Sequence, residues 1–390
     1  MRHSSRLDRI PPYAFAELER KIETKRQEGV DVISLGIGDP DRPTPALVVE
    51  AMQEAVTEPG THKYPSNRGR REFRTAVSDF YERRFEVGLD SDREIVPALG
   101  AKEAIFNLSL AFLDPGDYAL AADPGYPVYT GGPWLAGAEP VLIALRPELG
   151  FVPDLGAIDE QIARKAKLMF LNYPNNPTGA VVPAGFFERV VEFARAYEIL
   201  VVHDNSYSEI SYGSYRAPSF LKTPGAKDVG IEVFSLSKGY NMTGWRCGAV
   251  VGNAEAIETY WRLKTNIDSG MFDAVQLAAV AALSPDADAE VASMSALYRK
   301  RRDLVCDALR EIGVDVEVPH STIYVWAPVP AGFGSSEEYC AHVLDRTGVV
   351  LSPGAIYGPA GEGWFRISLT TPDDRLLEAV KRLGTLAQPA

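Results

Sequence analysis

The sequence predicts an α/β protein, built on a mostly parallel sheet buried on both faces, with a smaller α+β lobe beside it. Three observations point there. Short apolar runs alternate with amphipathic helical patterns through the middle of the chain, as strands covered by helices on both sides require. At 390 residues the chain exceeds what one hydrophobic core usually fills, so two lobes are expected. Beyond about residue 284 the alternation gives way to long helices, short strands and two closing helices.

Taken in order, "AFAELERKIETKRQEG" (14–29) has helical period and a glycine stop. From residue 43 the alternation begins. "IVPAL" (95–99), "DYALAA" (117–122), "AEPVLIAL" (138–145), "KLMFLN" (167–172), "EILVVHD" (198–204), "IEVFSL" (231–236) and "CGAVVG" (247–252) read as buried strands. Amphipathic helices such as "AGFFERVVEFARAY" (184–197) lie between several of them. Long helical patterns follow at 254–282 and 286–312. "TIYVWAPV", a helix near 336–347, "VVLSPG", "WFRISLT" and a helix near 373–386 complete the smaller lobe. The expected division is a large domain over 43–283, and a discontinuous small domain from 1–42 and 284–390.

Composition narrows the function. Hydrophobic content of 46% and charged content of 24% suit a soluble globular enzyme. A net charge of −13 argues against a nucleic-acid or membrane-surface binder, so an anionic ligand needs a local positive site. No run is long and apolar enough to span a bilayer, and the start lacks the apolar centre of a secretory signal. Cys247, Cys306 and Cys340 are few and widely spaced, which suggests a reducing cytoplasm and offers no metal spacing.

Ligands of open α/β sheets bind beyond the carboxyl ends of the strands, so the residues that follow each strand carry the information. "GAKEAI" turns straight into a helix after "IVPAL", and the N–H groups of Ala101 and Lys102 there favour an anion. Asp204 and Tyr207 follow "LVVH"; Asn172, Asn175 and Asn176 follow "LMFL"; Ser235, Ser237 and Lys238 follow "EVF", with Arg246 eight residues on. Neither G-x-x-x-x-G-K-[ST] nor G-x-G-x-x-G is present. An amine beside a phosphate site can form a Schiff base with an aldehyde-bearing phosphorylated cofactor, and pyridoxal phosphate fits. Asp204 suits its pyridine nitrogen, Tyr207 and Asn176 its phenolic oxygen, and Tyr126 offers a ring to stack on it. Each residue has a plainer reading: a solvated lysine, an aspartate or asparagine in turn chemistry, a tyrosine anchoring a loop, an arginine in a surface ion pair. The joint order at successive strand ends favours the cofactor.

These residues carry a family resemblance. "SLGIGDPDRPTP", "KYPSNRGRREFR", "GAKEAI", "DPGYPVY", "NYPNNPTG", "HDNSYSEI", "SLSKGYNMTGWRCG" and "WFRISL" resemble the fold-type I pyridoxal-phosphate aminotransferases of classes I and II over nearly the whole chain. "GIGDPDRPTP", "YNMTGWR" and "KTNIDSGMFDAVQ" are similar to LL-diaminopimelate aminotransferases and related bacterial enzymes. The resemblance implies a seven-stranded, mostly parallel sheet in the large domain. It implies Lys238 as Schiff-base lysine and proton shuttle, Asp204 on the ring nitrogen, and Tyr207 and Asn176 on the phenolic oxygen. Ala101, Lys102, Ser235, Ser237 and Arg246 fall at phosphate positions, and Tyr64 looks like the tyrosine that reaches the neighbouring subunit's phosphate. Arg366 looks like the clamp on the substrate α-carboxylate, and an inward arginine in a strand needs such an anionic partner. Tyr13, Gly38 and Asn266 match substrate-contact positions, although Tyr13 suits packing equally. Ala101 departs from relatives with serine or threonine there, which removes one hydroxyl but no backbone donor.

The implied reaction is reversible transamination by a ping-pong cycle, in a cytoplasmic homodimer that binds small amino acids and 2-oxo acids, with no metal, nucleic acid or membrane partner. Glutamate and 2-oxoglutarate are expected as one half, and diaminopimelate or another acidic amino acid as the other. Arg42, Arg68 and Arg70 are candidates for a distal substrate group. Aspartate, aromatic or alanine specificity, a β-lyase on the same scaffold, and a regulator built on it remain open alternatives.

Overall fold

The computed structural model of the chain describes residues 2–12 and 14–387. Seven strands form the central sheet: β1 (Ile95–Ala98), β2 (Tyr118–Asp123), β3 (Glu139–Ala144), β4 (Ala166–Asn172), β5 (Leu200–Asn205), β6 (Gly230–Ser235) and β7 (Gly248–Gly252). Their order is β1-β7-β6-β5-β4-β2-β3. β7 runs antiparallel to both neighbours, and the remaining pairs are parallel. The alternation along the sequence therefore yields the mostly parallel sheet that it predicts.

Strand parity builds the two cores. Met169, Leu171, Val201 and Phe234 enter one, with Phe73, Phe80, Phe186 and Phe187 from α1 (Arg71–Phe85) and α3 (Phe186–Tyr197). Leu168, Phe170, Val202 and Val233 enter the other, with Leu108 of α2 (Ala101–Phe112) and Ile257 of α4 (Ala254–Lys264). α3 shows why such helices form: Phe186, Phe187, Val190, Val191 and Ala194 recur at helical spacing and are all buried. A third core lies beneath β8 (Tyr324–Pro328), β9 (Ser352–Pro353) and β10 (Trp364–Ser368), an antiparallel sheet ordered β9-β10-β8. Ile33–Ser34 pairs in parallel with Val349–Val350.

Two expectations are corrected. The helical pattern at 254–282 is two helices, α4 and α5 (Asp273–Leu283), separated by residues 265–272. Both bury an apolar face, so the periodicity runs on across a break that polar groups make: Lys264 pairs with Glu103 and Asp268, and Asp268 accepts from the Gly270 N–H. The run at 138–145 is not a buried strand. β3 is the sheet edge, pairs only with β2, and leaves Leu142 exposed.

Parity also sends neighbouring residues of β5 to opposite sides. Asp204 shares the face of Val202, while His203 shares that of Val201 and is fully buried. His203 Nδ1 lies 2.8 Å from Glu232 Oε1, and its Nε2 3.0 Å from the Tyr173 carbonyl. Glu232 also accepts from Tyr81, Asn205 and the Phe220 N–H. Glu232 thus holds four partners in the core, and His203 bridges it to the Tyr173 carbonyl. His203→Ala removes that bridge and leaves its buried partners unpaired. We expect a loss of roughly 3–5 kcal/mol, read as a lowered denaturant midpoint; an unchanged midpoint would contradict the bridge.

Candidate active site

The carboxyl ends of β4, β5 and β6, the start of α2 and the small sheet enclose a cavity of about 510 Å³. Ala101, Lys102, Tyr126, Asn176, Asp204, Tyr207, Ser235, Ser237, Lys238 and Arg246 all line it, as do Gly38 and Arg366. The structure thus brings together twelve of the residues to which the sequence assigned a role. Tyr13 lies outside the described residues. Tyr64 and Asn266 do not reach this cavity: Tyr64 is 88% exposed and Asn266 donates to the Arg262 carbonyl at the end of α4. They belong to adjoining segments, because a Cβ at Gly270 would press on Pro65 and the Ser66 carbonyl. Arg42, Arg68 and Arg70 line no part of the cavity and sit in ion pairs with Asp373, Glu258 and Glu72–Asp273 respectively. A distal-group role for them finds no support in this arrangement.

One end of the cavity is built for an anion. Gly100 has φ +86° and precedes α2, whose first turn has no side-chain cap. A Cβ at Gly100 would collide with the Arg246 guanidinium, which donates to the carbonyls of Leu99 and Thr243 at 3.2 and 2.8 Å. Glycine therefore lets the guanidinium close over the helix N-terminus. Ser235 and Ser237 are buried beside it, and the Ser237 N–H donates to the Ser235 hydroxyl.

The floor is an acid. Asp204 is 5% exposed and accepts from Tyr129 at 2.8 Å and Ser206 at 2.5 Å. Burial lifts its carboxyl above the ordinary aspartate range, against those two bonds and the nearby His203 charge. Asn172 donates to the Asp204 carbonyl and accepts from the Asn176 N–H, so one amide ties β5 to the loop after β4. Tyr126 receives the Lys102 amine over its ring at 5.6 Å.

Lys238 donates to the Gly38 carbonyl. Desolvation holds its amine below the ordinary lysine value; Tyr324 and Asp39 oppose this, and Arg366 and Arg246 reinforce it. Arg366 is 1% exposed and donates to Asn176 Oδ1 and the Gly36 carbonyl, each at 2.8 Å. Its Nε is buried without a partner, and among the described residues no carboxylate pairs with it. Its ζ carbon sits 3.9 Å from the Tyr324 ring centroid and 4.9 Å from that of Tyr357.

Tyr129, Tyr324, Asn172 and Phe15 also line the cavity, and sequence reasoning assigned them no role. A tyrosine opening an apolar strand such as "YVWAP" reads as core, and only the polar residue at each strand end gave a signal. Tyr129 was within reach, since "DPGYPVY" places it one helical turn beyond Tyr126.

A family model described as aminotransferase class I and II matches residues 30–383. LL-diaminopimelate aminotransferase of Desulforudis audaxviator is 54% identical over 380 residues, covering 97% of this chain and 96% of the relative. The enzyme of that name from Gloeobacter violaceus is 51% identical over 384 residues, 98% of each chain. Among solved structures, substrate-bound BacF from Bacillus subtilis has a TM-score of 0.95 at 37% identity, covering 100% of this chain and 98% of that one. A Thermus thermophilus aspartate aminotransferase mutant has a TM-score of 0.92 at 29% identity, covering 99% and 100%.

The acid on the floor makes a testable demand. A folded-state value above the unfolded one means that Asp204 favours folding below about pH 4 and loses that contribution as pH rises through the folded value. Asp204→Asn removes the titration. The ligand-free variant should melt above wild type at pH 8, with the gap closing at pH 4; a gap equal at both pH values would contradict the assignment.

Proposed function

The chain belongs to the class I and II aminotransferases, pyridoxal-phosphate-dependent enzymes, and from that premise we propose that it exchanges an amino group between LL-diaminopimelate and a 2-oxo acid such as 2-oxoglutarate. The names of relatives about half identical over the full chain support the substrate. The observation that carries the transfer chemistry is Arg366, a buried guanidinium with no carboxylate partner among the described residues, in the same cavity as Lys238.

The residues present fit the cofactor. Asp204 is a buried acid held by two neutral hydroxyls and the Ser206 backbone, and a protonated ring nitrogen would be a cationic partner for it. The opposite end offers helix N–H groups of Ala101 and Lys102, the hydroxyls of Ser235 and Ser237, and Arg246 to a phosphate. Asn176 spends its oxygen on Arg366, which turns its NH₂ toward the cavity and the phenolic oxygen, where Tyr207 joins it. Tyr126 supplies the stacking face.

When bound, pyridoxal phosphate supplies an aldehyde that takes up the amino group and a ring that spreads the electron pair left at Cα. Lys238 would hold it, and when a substrate takes that place its amine, whose proton affinity desolvation has lowered, would be free to act. That amine would take the proton from the substrate Cα and hold it for return. Arg366 takes the α-carboxylate with two parallel bonds, which fixes the plane of the amino acid and aims the Cα–H at Lys238. Gly38 lies beside this path. In the homodimer that we infer, the exposed Tyr64 reaches the partner's phosphate end, and Asn266 the partner's substrate. No helix among the described residues is long and apolar enough to cross a membrane, and none of their His, Cys, Asp and Glu groups is placed to hold a metal.

Purified protein with LL-diaminopimelate and 2-oxoglutarate should form glutamate with parallel-line initial rates. A kcat/KM for aspartate, alanine or an aromatic amino acid above that for LL-diaminopimelate would reject the substrate. Lys238→Ala should lower kcat by roughly 10⁴-fold, toward the upper range for a lost acid–base group. Arg366→Lys keeps the charge without the fork, and should mainly raise KM for the amino acid. Multiple turnovers by Lys238→Ala at near wild-type rate would reject the mechanism.

A further inference from the structure

We propose that Tyr324 is a positioning residue for the transfer. Its phenol donates to Tyr207, which commits the Tyr207 hydroxyl to donate to the ring oxygen of bound pyridoxal phosphate. The inference rests on the cofactor reading above.

Tyr324 opens β8, faces Ser368 of β10 across the small sheet, and is buried. Its ring stacks on Arg366, and its hydroxyl stands 3.3 Å from that of Tyr207. The two rings meet edge to face at 5.7 Å. Either oxygen is able to donate in this bond, so electrostatics set the direction. Burial pushes both phenols up. At Tyr324 burial is opposed by the charges of Arg366 and Lys238 and by hydrogen bonds to Tyr207 and Arg366, and the phenol comes down. At Tyr207 burial, Tyr324 and Asp204 hold the phenol up against the Arg366 charge. With the Arg366 guanidinium on its ring and the Lys238 amine bound at Gly38 beside its oxygen, Tyr324 is the phenol placed to donate. Tyr207, already accepting, then has its own proton left for the cavity that it lines.

The neighbouring backbone is shaped to admit this hydroxyl. A Cβ at Gly38 would collide with the Tyr324 oxygen and ring edge. Phenylalanine at 324 would fill the same core and keep a ring on Arg366, so packing alone does not account for the oxygen. Its place beside Tyr207 and near Lys238 does.

The test compares holoenzymes: wild type, Tyr324→Phe, Tyr207→Phe and the double variant. A bond donated to the ring oxygen stabilises its anionic form, so weakening that bond raises the pH at which the cofactor's absorption band switches. Tyr324→Phe should raise this midpoint by about half a unit to one unit, and Tyr207→Phe by more. The double variant should match Tyr207→Phe, because Tyr324 acts through that hydroxyl. Tyr324→Phe should also lower kcat several-fold while KM for the amino acid stays within about twofold, since the stack on Arg366 survives. An unmoved midpoint in Tyr324→Phe, or a shift that adds to that of Tyr207→Phe, overturns the proposal. Wild-type protein that takes up no pyridoxal phosphate overturns the cofactor reading instead, and this one with it.

Discussion

One buried guanidinium, with no carboxylate partner among the described residues, sits where the walls of the site meet. Arg366 leaves β10, donates to Asn176 in the loop after β4 and to Gly36 in the N-terminal segment, and lies on the Tyr324 ring of β8. Three stretches far apart in sequence are thereby fixed around one cation. Burying such a charge without its counterion costs several kcal/mol. Neutral carbonyl acceptors and aromatic faces offset part of that cost. A ligand that brought an anion, as in the function proposed above, would recover the rest. The arrangement is poor as glue and good as a receptor, because the binding free energy of a carboxylate is raised by whatever the empty site lacks.

The other end carries the opposite imbalance. Asp204 is an acid among neutral donors, held up by burial, and it welcomes a cation. Period-two alternation places it back to back with His203, which meets Glu232 on the far face of the sheet. Two adjacent residues of one strand thus do opposite jobs. His203 ties β5 to β6 and to the Tyr173 carbonyl; Asp204, hydrogen-bonded by Tyr129 and Ser206 but in no ion pair, faces the cavity. Rigidity from the first makes the second tolerable, since a strained group stays in place only when its surroundings leave it nowhere else to go.

Much of this was legible because a parallel sheet exposes its chemistry at one edge. Lys238, Asp204, Asn176 and Ser235 each interrupt an apolar run, and the interruption is a local signal. Arg366 was legible as a charge inside a strand. Tyr324 gave no such signal, because a phenol at the head of an apolar strand has the same pattern as a core residue. Its meaning depends on Gly38, which lies nearly 300 positions earlier and meets it only in the folded chain. The break at 265–272 was hidden for a related reason. Apolar periodicity records which faces are buried, and two helices in succession can both bury faces without being one helix. Polar pairing of Lys264 with Glu103 and Asp268 makes the break, and Glu103 is supplied by a different helix.

That break bears on how the site is completed. Residues 265–272 leave α4, and Asn266 and Ile267 are exposed there, beside the Tyr64 loop. Tyr64 at 88% exposure, with Ile267 and Phe272 also exposed, is apolar surface that an isolated chain gains nothing by showing. Meanwhile the anion end of the cavity relies on backbone donors, serines and one arginine, with alanine rather than a hydroxyl residue at 101. In the homodimer proposed above, the partner's Tyr64 would add a hydroxyl to this end, and the exposed side chains would be covered. Subunit association would then become a condition of full phosphate affinity.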